Sequence, residues 1–570
     1  LRAIHAESQG DHYTLNFRVV DQRGPLSVAL RLPSPDGQGV YHIEGISKVL
    51  IMEGRRSVSY PRNPNRSEGI WVLDQHQIIC NVIRQALNVA LVSSVKGNPP
   101  AEQAGQDVID KFFATGPLCR EVDPDKKLDL ELTRSAIHID VAGNSLDVED
   151  RRIHDWPGIV DPLTIPQGSR AMQTFRLAQD ARVISGRIVR GSKIMSETMD
   201  RNLVFPENDR PVRLLLTRSA LGGHEEVVDC EDPWVRSVDY REGDLRGKHM
   251  LTAIVADKTN YSDCISVSLS GAQKLACYRR KSQTIVDTHP VELKVRVGSV
   301  VQPGDVVAEI DEGLKDGKTR IRKIRTHKLV TKAEVVEVSR TETHVLGEPA
   351  ERIRIRYECV YTLTDGDKLT TRHGNKGVVR VVPDKNMPEL EVRPGEWVKA
   401  EVLVNPFSFV SRRPHGAIRE MVVNEIATRE GEPVEVEHFG DEYTNLELYE
   451  RGLDRKFSAR VNGIPLKFPV FMGWLYWLRL EHHAREKLSA TGSTKPLNFH
   501  GLNPDAGKVS GQRINLTTAT VMHAKGLAAT HEVLHKANVE RGAVRMIEDL
   551  MSVLAYDGQG FTRARREGRV

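Results

Sequence analysis

Two lysines eight positions apart, Lys368 and Lys376, are the residues in this sequence best suited to chemistry; they lie in Asp365-Gly366-Asp367-Lys368-Leu369-Thr370-Thr371-Arg372-His373-Gly374-Asn375-Lys376-Gly377. Glycines let the backbone approach a ligand closely, and lysines supply point charges for phosphate. Residue types and spacing alone therefore read as an anion-binding turn. A second basic feature is Arg352-Ile353-Arg354-Ile355-Arg356. On a strand the three arginines share one face and the isoleucines point to the other. That face is either solvated charge or a wall facing phosphates.

Two other motifs compete for attention. His531-Glu532-Val533-Leu534-His535 has the HExxH spacing. On a helix it would put two histidines on one face, with a glutamate placed to activate a zinc-bound water. No GxxH extension follows, so ordinary helix surface is the stronger reading and a zinc metallopeptidase the weaker one. Gly313-Leu314-Lys315-Asp316-Gly317-Lys318-Thr319 has three residues between its glycines where a P-loop needs four, and strand-like sequence follows it. It reads as a turn.

The literal string around the lysines is more specific than its composition. GDK followed by RHGNKGV resembles the signature of the β subunit of multisubunit DNA-dependent RNA polymerases. The resemblance runs collinearly over most of the chain. Residues 41–51 (YHIEGISKVLI) are similar to an early β segment, and residues 153–169 (IHDWPGIVDPLTIPQGS) to the fork region. FPENDRPVR (205–213) places a nucleotide-contacting arginine on Arg213. Asn260-Tyr261-Ser262-Asp263-Cys264-Ile265 keeps the family's aspartate at Asp263, with Ser262 in place of its acidic neighbour. LVNPFSFVSRR (403–413) places a second phosphate-contacting arginine on Arg412. Residues 471–492 and 510–513 (SGQR) resemble the C-terminal run of the family.

The resemblance implies a DNA-directed RNA polymerase component that supplies half of a nucleotidyl-transfer site. Catalytic contacts would come from Lys368, Lys376, Asp263, Arg213 and Arg412. Nucleic acid would be met by Arg372, His373, Asn375, Arg352, Arg354, Arg356, Lys508 and Arg513. The cofactor would be Mg2+, held mainly by a β′-like large subunit with an aspartate triad. Asp263 would help place the second, nucleotide-borne ion. This chain has no Asn-Ala-Asp-Phe-Asp-Gly-Asp string, and Asp365-Gly366-Asp367 is too short to replace it. The implied partners are that large subunit, α-like or sigma-like subunits, DNA template, RNA transcript and NTPs, with no membrane. The alternative within the same resemblance is a catalytically inert β-like subunit that binds nucleic acid or supports assembly. Reduced lobes and a compact flap suggest a minimal subunit of phage or mobile-element type.

The elements that must position these residues are expected as an α+β multidomain protein. A double-psi β-barrel core would span 205–269 and 359–420, with a β-rich flap inserted over 270–358. Residues 1–115 would form a reduced N-terminal lobe and 116–204 a fork-like region. Residues 421–570 would form a mostly helical hybrid-binding and anchor module contacting the large subunit, with Trp474, Tyr476 and Trp477 either at that contact or in an internal helix core. Helical spacing of Ile78, Ile79, Val82, Ile83, Leu87, Ala90 and Leu91 predicts helix within 74–115. The run 470–490 also reads as helix.

Composition fits this size and class. The chain has 570 residues, 39% of them hydrophobic and 28% charged. That is a soluble balance with room for several cores. Lysine plus arginine total 81 against 77 acids, a net charge of +4, which argues against a histone-like polycation. Six dispersed cysteines form no CxxC pair, so a reducing, cytoplasmic compartment is expected, or a host cytoplasm or virion for a phage protein. No signal peptide opens the sequence, and its first residue, Leu1, suggests a trimmed start.

Overall fold

A computed structural model describes residues 2–9, 12–21, 24–43, 46–56, 70–96, 100–123, 126–139, 157–165, 174–261, 263–315, 318–326, 329, 331–345, 348–440, 448, 455–487, 520–522 and 524–527. The chain divides into two units, Leu1–His483 and Ala484–Val570. Of the second, only the short turn Ala484–Lys487 and a few residues after 519 are described.

The N-terminal part is a strand-rich layer against two helices, Gln75–Lys96 (α1) and Ala101–Thr115 (α2). Ile78, Val82, Ala86, Leu87 and Ala90 recur on one face of α1 and are buried with Leu30, Val49, Ile109 and Phe113. By length and composition α1 is the one helix among the described residues that could cross a membrane. One face of it is packed into this core.

Six strands close a barrel: Lys248–Ile254 (β1), Cys264–Ser268 (β2), Lys368–Thr371 (β3), Gly377–Val382 (β4), Val402–Val404 (β5) and Val470–Leu480 (β6). Around the barrel the order is β6-β1-β5-β2-β4-β3, and β3 pairs back onto β6. The pairs β1–β5 and β2–β4 are parallel and the others antiparallel. Met250, Ile265, Val267, Leu369, Val379, Val402, Leu475 and Trp477 fill it. The helix His415–Glu430 (α5, after α3 and α4 below) covers one side with Ala417 and Met421.

Strand β6 corrects two expectations. Residues 470–480 are not helical, and the described part of the C-terminal module, up to 487, is mainly strand. Nearly every residue of VFMGWLYWLRL is buried, because protein covers both faces of the strand. A strand buried on both faces loses the period-two pattern and reads as a continuous apolar run, which periodicity cannot tell from helix. Gly473 allows the close approach to α5: a Cβ there would lie 2.9 Å from the Met421 Cβ. Tyr476 and Trp477 are fully buried within the chain, and Trp474 packs edge-on against Trp234 at 5.5 Å. Tyr476 and Trp477 are therefore core residues and not a partner-facing surface, while Trp474 is only partly buried.

Between β2 and β3 the chain leaves the barrel to form a β-rich module. Its four-stranded sheet runs in the order Cys277–Asp287, Glu348–Tyr361, Ala333–Val345, Val300–Val301; a three-stranded sheet accompanies it. It has its own core of Ile285, Val307, Ile310, Val335, Ile353, Ile355 and Tyr357. The strands Val306–Lys315 and Lys318–Arg325 form a hairpin across the glycine-rich string at 313–319, so strand and not helix follows it.

Candidate functional site

Lys368 is the first residue of β3 and Lys376 immediately precedes β4, so the lysine string is the connection between two barrel strands; Lys368 lies opposite Val378. Lys368 is partly buried and has no ion-pair partner among the described residues. Two glycines let the loop press against its neighbours. Gly374 takes φ +66°, and a Cβ there would overlap the carbonyl oxygen of Arg213. A Cβ on Gly377 would overlap the carbonyl oxygen of Asp263, which accepts a hydrogen bond from Val378 N at 3.0 Å.

Arg213 lies in the first turn of Pro211–Gly223 (α3), a helix opened by Pro211 at its first position, where proline's fixed φ suits the start. Arg412 ends Pro406–Arg412 (α4), whose N-terminus is capped by Asn405 accepting from Phe407 N at 2.8 Å. Arg413 then turns to φ 54°, an uncommon conformation for a residue with a side chain. Arg412 Nη1 donates to the Lys376 carbonyl at 3.0 Å, and its Nη2 pairs with Asp263. Lys376, Arg213, Arg412 and Asp263 are thus brought together at one end of the β3–β4 connection.

The site is cationic. Burial, then the charge of Arg210, lowers the Arg213 pKa; burial, then the charge of Arg213, lowers that of Arg412. Like charges crowded in this way favour an anion between them. Arg213 Nε is buried with no hydrogen-bond partner, which leaves a donor unmatched within the protein.

Arg372, His373 and Asn375 were expected to meet nucleic acid, but their side chains are almost wholly buried. Arg372 Nη2 donates to Val235 O at 2.8 Å and to Glu420 Oε1 at 2.7 Å. His373 lies between Asp209 Oδ2, 2.6 Å from Nδ1, and Glu420 Oε2, 2.7 Å from Nε2. Isolated charges cannot be left in such a place, so they are turned inward onto partners.

Arg352, Arg354 and Arg356 do share one face of the strand Glu348–Tyr361, with Ile353 and Ile355 fully buried on the other. Arg356 is paired with Glu337 at 2.9 Å. Lys508, Arg513 and the HExxH string at 531–535 lie outside the described residues, as does Ser262.

Sequence reasoning missed three residues that fix the site. Asp209 and Glu420 hold His373. Arg479, on β6, holds Asp367 at 3.0 Å in full burial, pinning the residue before Lys368. Asp367 also accepts from Thr364 N at 2.9 Å, and Asp365 pairs with Arg380. Neither aspartate is placed as a metal ligand. The one group with metal-ligand composition among the described residues is Glu225, Cys277 and His483. Glu225 accepts from His483 Nε2 at 2.6 Å and pairs with Arg279, while burial pushes the Cys277 thiol pKa well up. That group reads as a satisfied polar network.

Part of the chain is similar to known proteins. Residues 235–504 match the family described as RNA polymerase Rpb2, domain 6. The DNA-directed RNA polymerase subunit beta of Treponema denticola is 26% identical over 296 residues, 46% of this chain and 25% of that protein. That of Borrelia hermsii is 28% identical over 303 residues, 47% of this chain and 26% of that protein. The matches therefore span about a quarter of the relatives' length. Over this region the chain is similar to RNA polymerase β subunits.

Proposed function

We propose that this chain contributes the cationic half of a nucleotidyl-transfer site in a multisubunit DNA-directed RNA polymerase. The observation that carries the reading is the meeting of Lys376, Arg213, Arg412 and Asp263 at the β3–β4 connection, with Lys368 on the adjoining strand. In this reading the closed barrel is of the double-psi type and the module between β2 and β3 is the flap.

Phosphoryl transfer to an RNA 3′ hydroxyl needs alignment and neutralisation of a triphosphate. Lys368 and Lys376 hold the RNA 3′ end and the reacting phosphate as point charges. Arg213 and Arg412 present guanidinium forks to the outer phosphates. Arg412 exchanges Asp263 for phosphate when the nucleotide arrives, which frees the carboxylate. Mg2+ supplies charge neutralisation at the reacting phosphate and lowers the pKa of the attacking hydroxyl. Among the expected contact residues Asp263 is the single carboxylate, its side chain 58% exposed. It fits a shared ligand for a nucleotide-borne ion. A tightly held ion needs further acids, which in this reading come from a β′-like subunit. Other subunits, template and transcript complete the assembly, in the cytoplasm.

Templated extension of a primed scaffold, by the complex isolated through this chain, tests the reading. A complex that binds the scaffold but adds no nucleotide favours the inert β-like alternative.

The arginine face of the strand Glu348–Tyr361 gives a separate expectation. If it lines the nucleic-acid path, replacing Arg352, Arg354 and Arg356 by glutamine flattens the salt dependence of scaffold binding. The expected change is about two units of slope, from about 0.9 per phosphate contact with Arg356 partly engaged by Glu337. An unchanged slope assigns the face to solvent.

A further inference from the structure

We propose that His373, with both ring nitrogens donating, is a positioning residue that clips together the three segments carrying Lys376, Arg213 and Arg412. The inference rests on the proposed role of those three residues in nucleotide addition.

The geometry is three-way. His373 lies in the lysine string, three positions before Lys376. Asp209, at its Nδ1, lies four positions before Arg213 and just ahead of α3. Glu420, at its Nε2, is on α5, the helix that follows α4 and its terminal Arg412. One imidazole therefore bonds to each of the two segments that supply the arginines. The backbone repeats the connection: Asp209 Oδ1 accepts from Gly416 N at 2.9 Å, and residues 209 and 414 form an isolated β-bridge. Gly416 is glycine because a Cβ would lie 2.6 Å from His373 Nδ1 and 2.8 Å from Asp209 Oδ2.

Hydrogen-bond chemistry fixes the protonation. Ionised carboxylates only accept, so an imidazole between two of them must donate from both nitrogens. Charge balance agrees: Arg372 offsets one of the two buried carboxylates, and a cationic His373 offsets the other. Burial alone would lower the His373 pKa, but the charge of Asp209 and hydrogen bonds to both carboxylates outweigh it and push the value up to about 9. Burial would raise that of Glu420, but Arg372 and His373 hold it down at about 2.

His373→Gln removes the charge and keeps a planar pair of polar atoms. Glutamine has one donating and one accepting end, so one end faces a carboxylate that only accepts. Glu420→Gln supplies the missing donor and removes the unbalanced anion. In the complex isolated through this chain, His373→Gln is expected to lower kcat/KM for nucleotide addition about 10²-fold, mostly through KM for the NTP, because small misplacements of contact groups cost that much. Affinity for the nucleic-acid scaffold should be unchanged. Adding Glu420→Gln should recover at least about tenfold, the coupling of two groups in direct contact. A structural role alone predicts no such split between KM and kcat, and a second loss on the second substitution. If His373→Gln does not assemble, the double variant decides: recovered assembly and activity uphold the clip, and continued failure overturns it. Near-normal kcat/KM for His373→Gln, alongside strongly impaired Lys376→Ala and Arg412→Ala, overturns the clip alone. Near-normal rates for Lys376→Ala and Arg412→Ala overturn the proposed function beneath it.

Discussion

Replacing Lys368 or Lys376 by alanine in the assembled enzyme is expected to slow nucleotide addition by about 10²–10³-fold. That corresponds to removing one preorganised charge from a developing phosphoryl centre, about 3–4 kcal/mol. Assembly should survive, because both lysines are only partly buried, unlike the nearby Arg372, His373 and Arg479. Lys368 is at the start of β3 with no ion-pair partner among the described residues, and Lys376 lies between Gly374 and Gly377. Rapid-quench extension by one nucleotide separates the step from product release. Near-normal rates in both variants would remove the lysines from the chemistry.

A comparably large effect is expected on stability from Arg479→Met. The guanidinium and the Asp367 carboxylate it contacts are both buried, and Arg479 also donates to Leu275 O at 2.7 Å. Removing one partner of a buried pair leaves the other charge unbalanced, at a cost of about 3–5 kcal/mol. The melting temperature should fall by about 3–5 °C. Since Asp367 precedes Lys368, residual enzyme should also add nucleotides slowly. A shift below about 2 °C would show that Asp367 finds other compensation.

What the sequence disclosed follows from where the physics is local. The apolar stripe of α1 and the alternation Arg352-Ile353-Arg354-Ile355-Arg356 are patterns made by one solvent-facing side, and both match the observed burial. Strand β6 has no such side, so its eleven residues lost their period and read as helix. The site splits in the same way. The lysine string and the positions of Arg213, Asp263 and Arg412 were readable as motifs, and the structure brings them to one loop. The inward turn of Arg372 and His373 was not readable. Their partners, Asp209 and Glu420, stand 164 and 47 positions from His373, and nothing in the string itself marks a charge as buried. Asp209 was within the quoted run FPENDRPVR, so the pairing of an acid there with a histidine in the lysine string was the signal available. Arg479 had none, because it was hidden in a run taken for helix.

In the proposed function this chain holds the phosphate-neutralising half of a site whose tight metal centre lies on another polypeptide. The most direct test compares the purified chain with the complex isolated through it, each given a primed DNA–RNA scaffold, the four NTPs and Mg2+. Template-directed extension is expected from the complex and none from the chain alone. Robust extension by the single chain would contradict the proposed function.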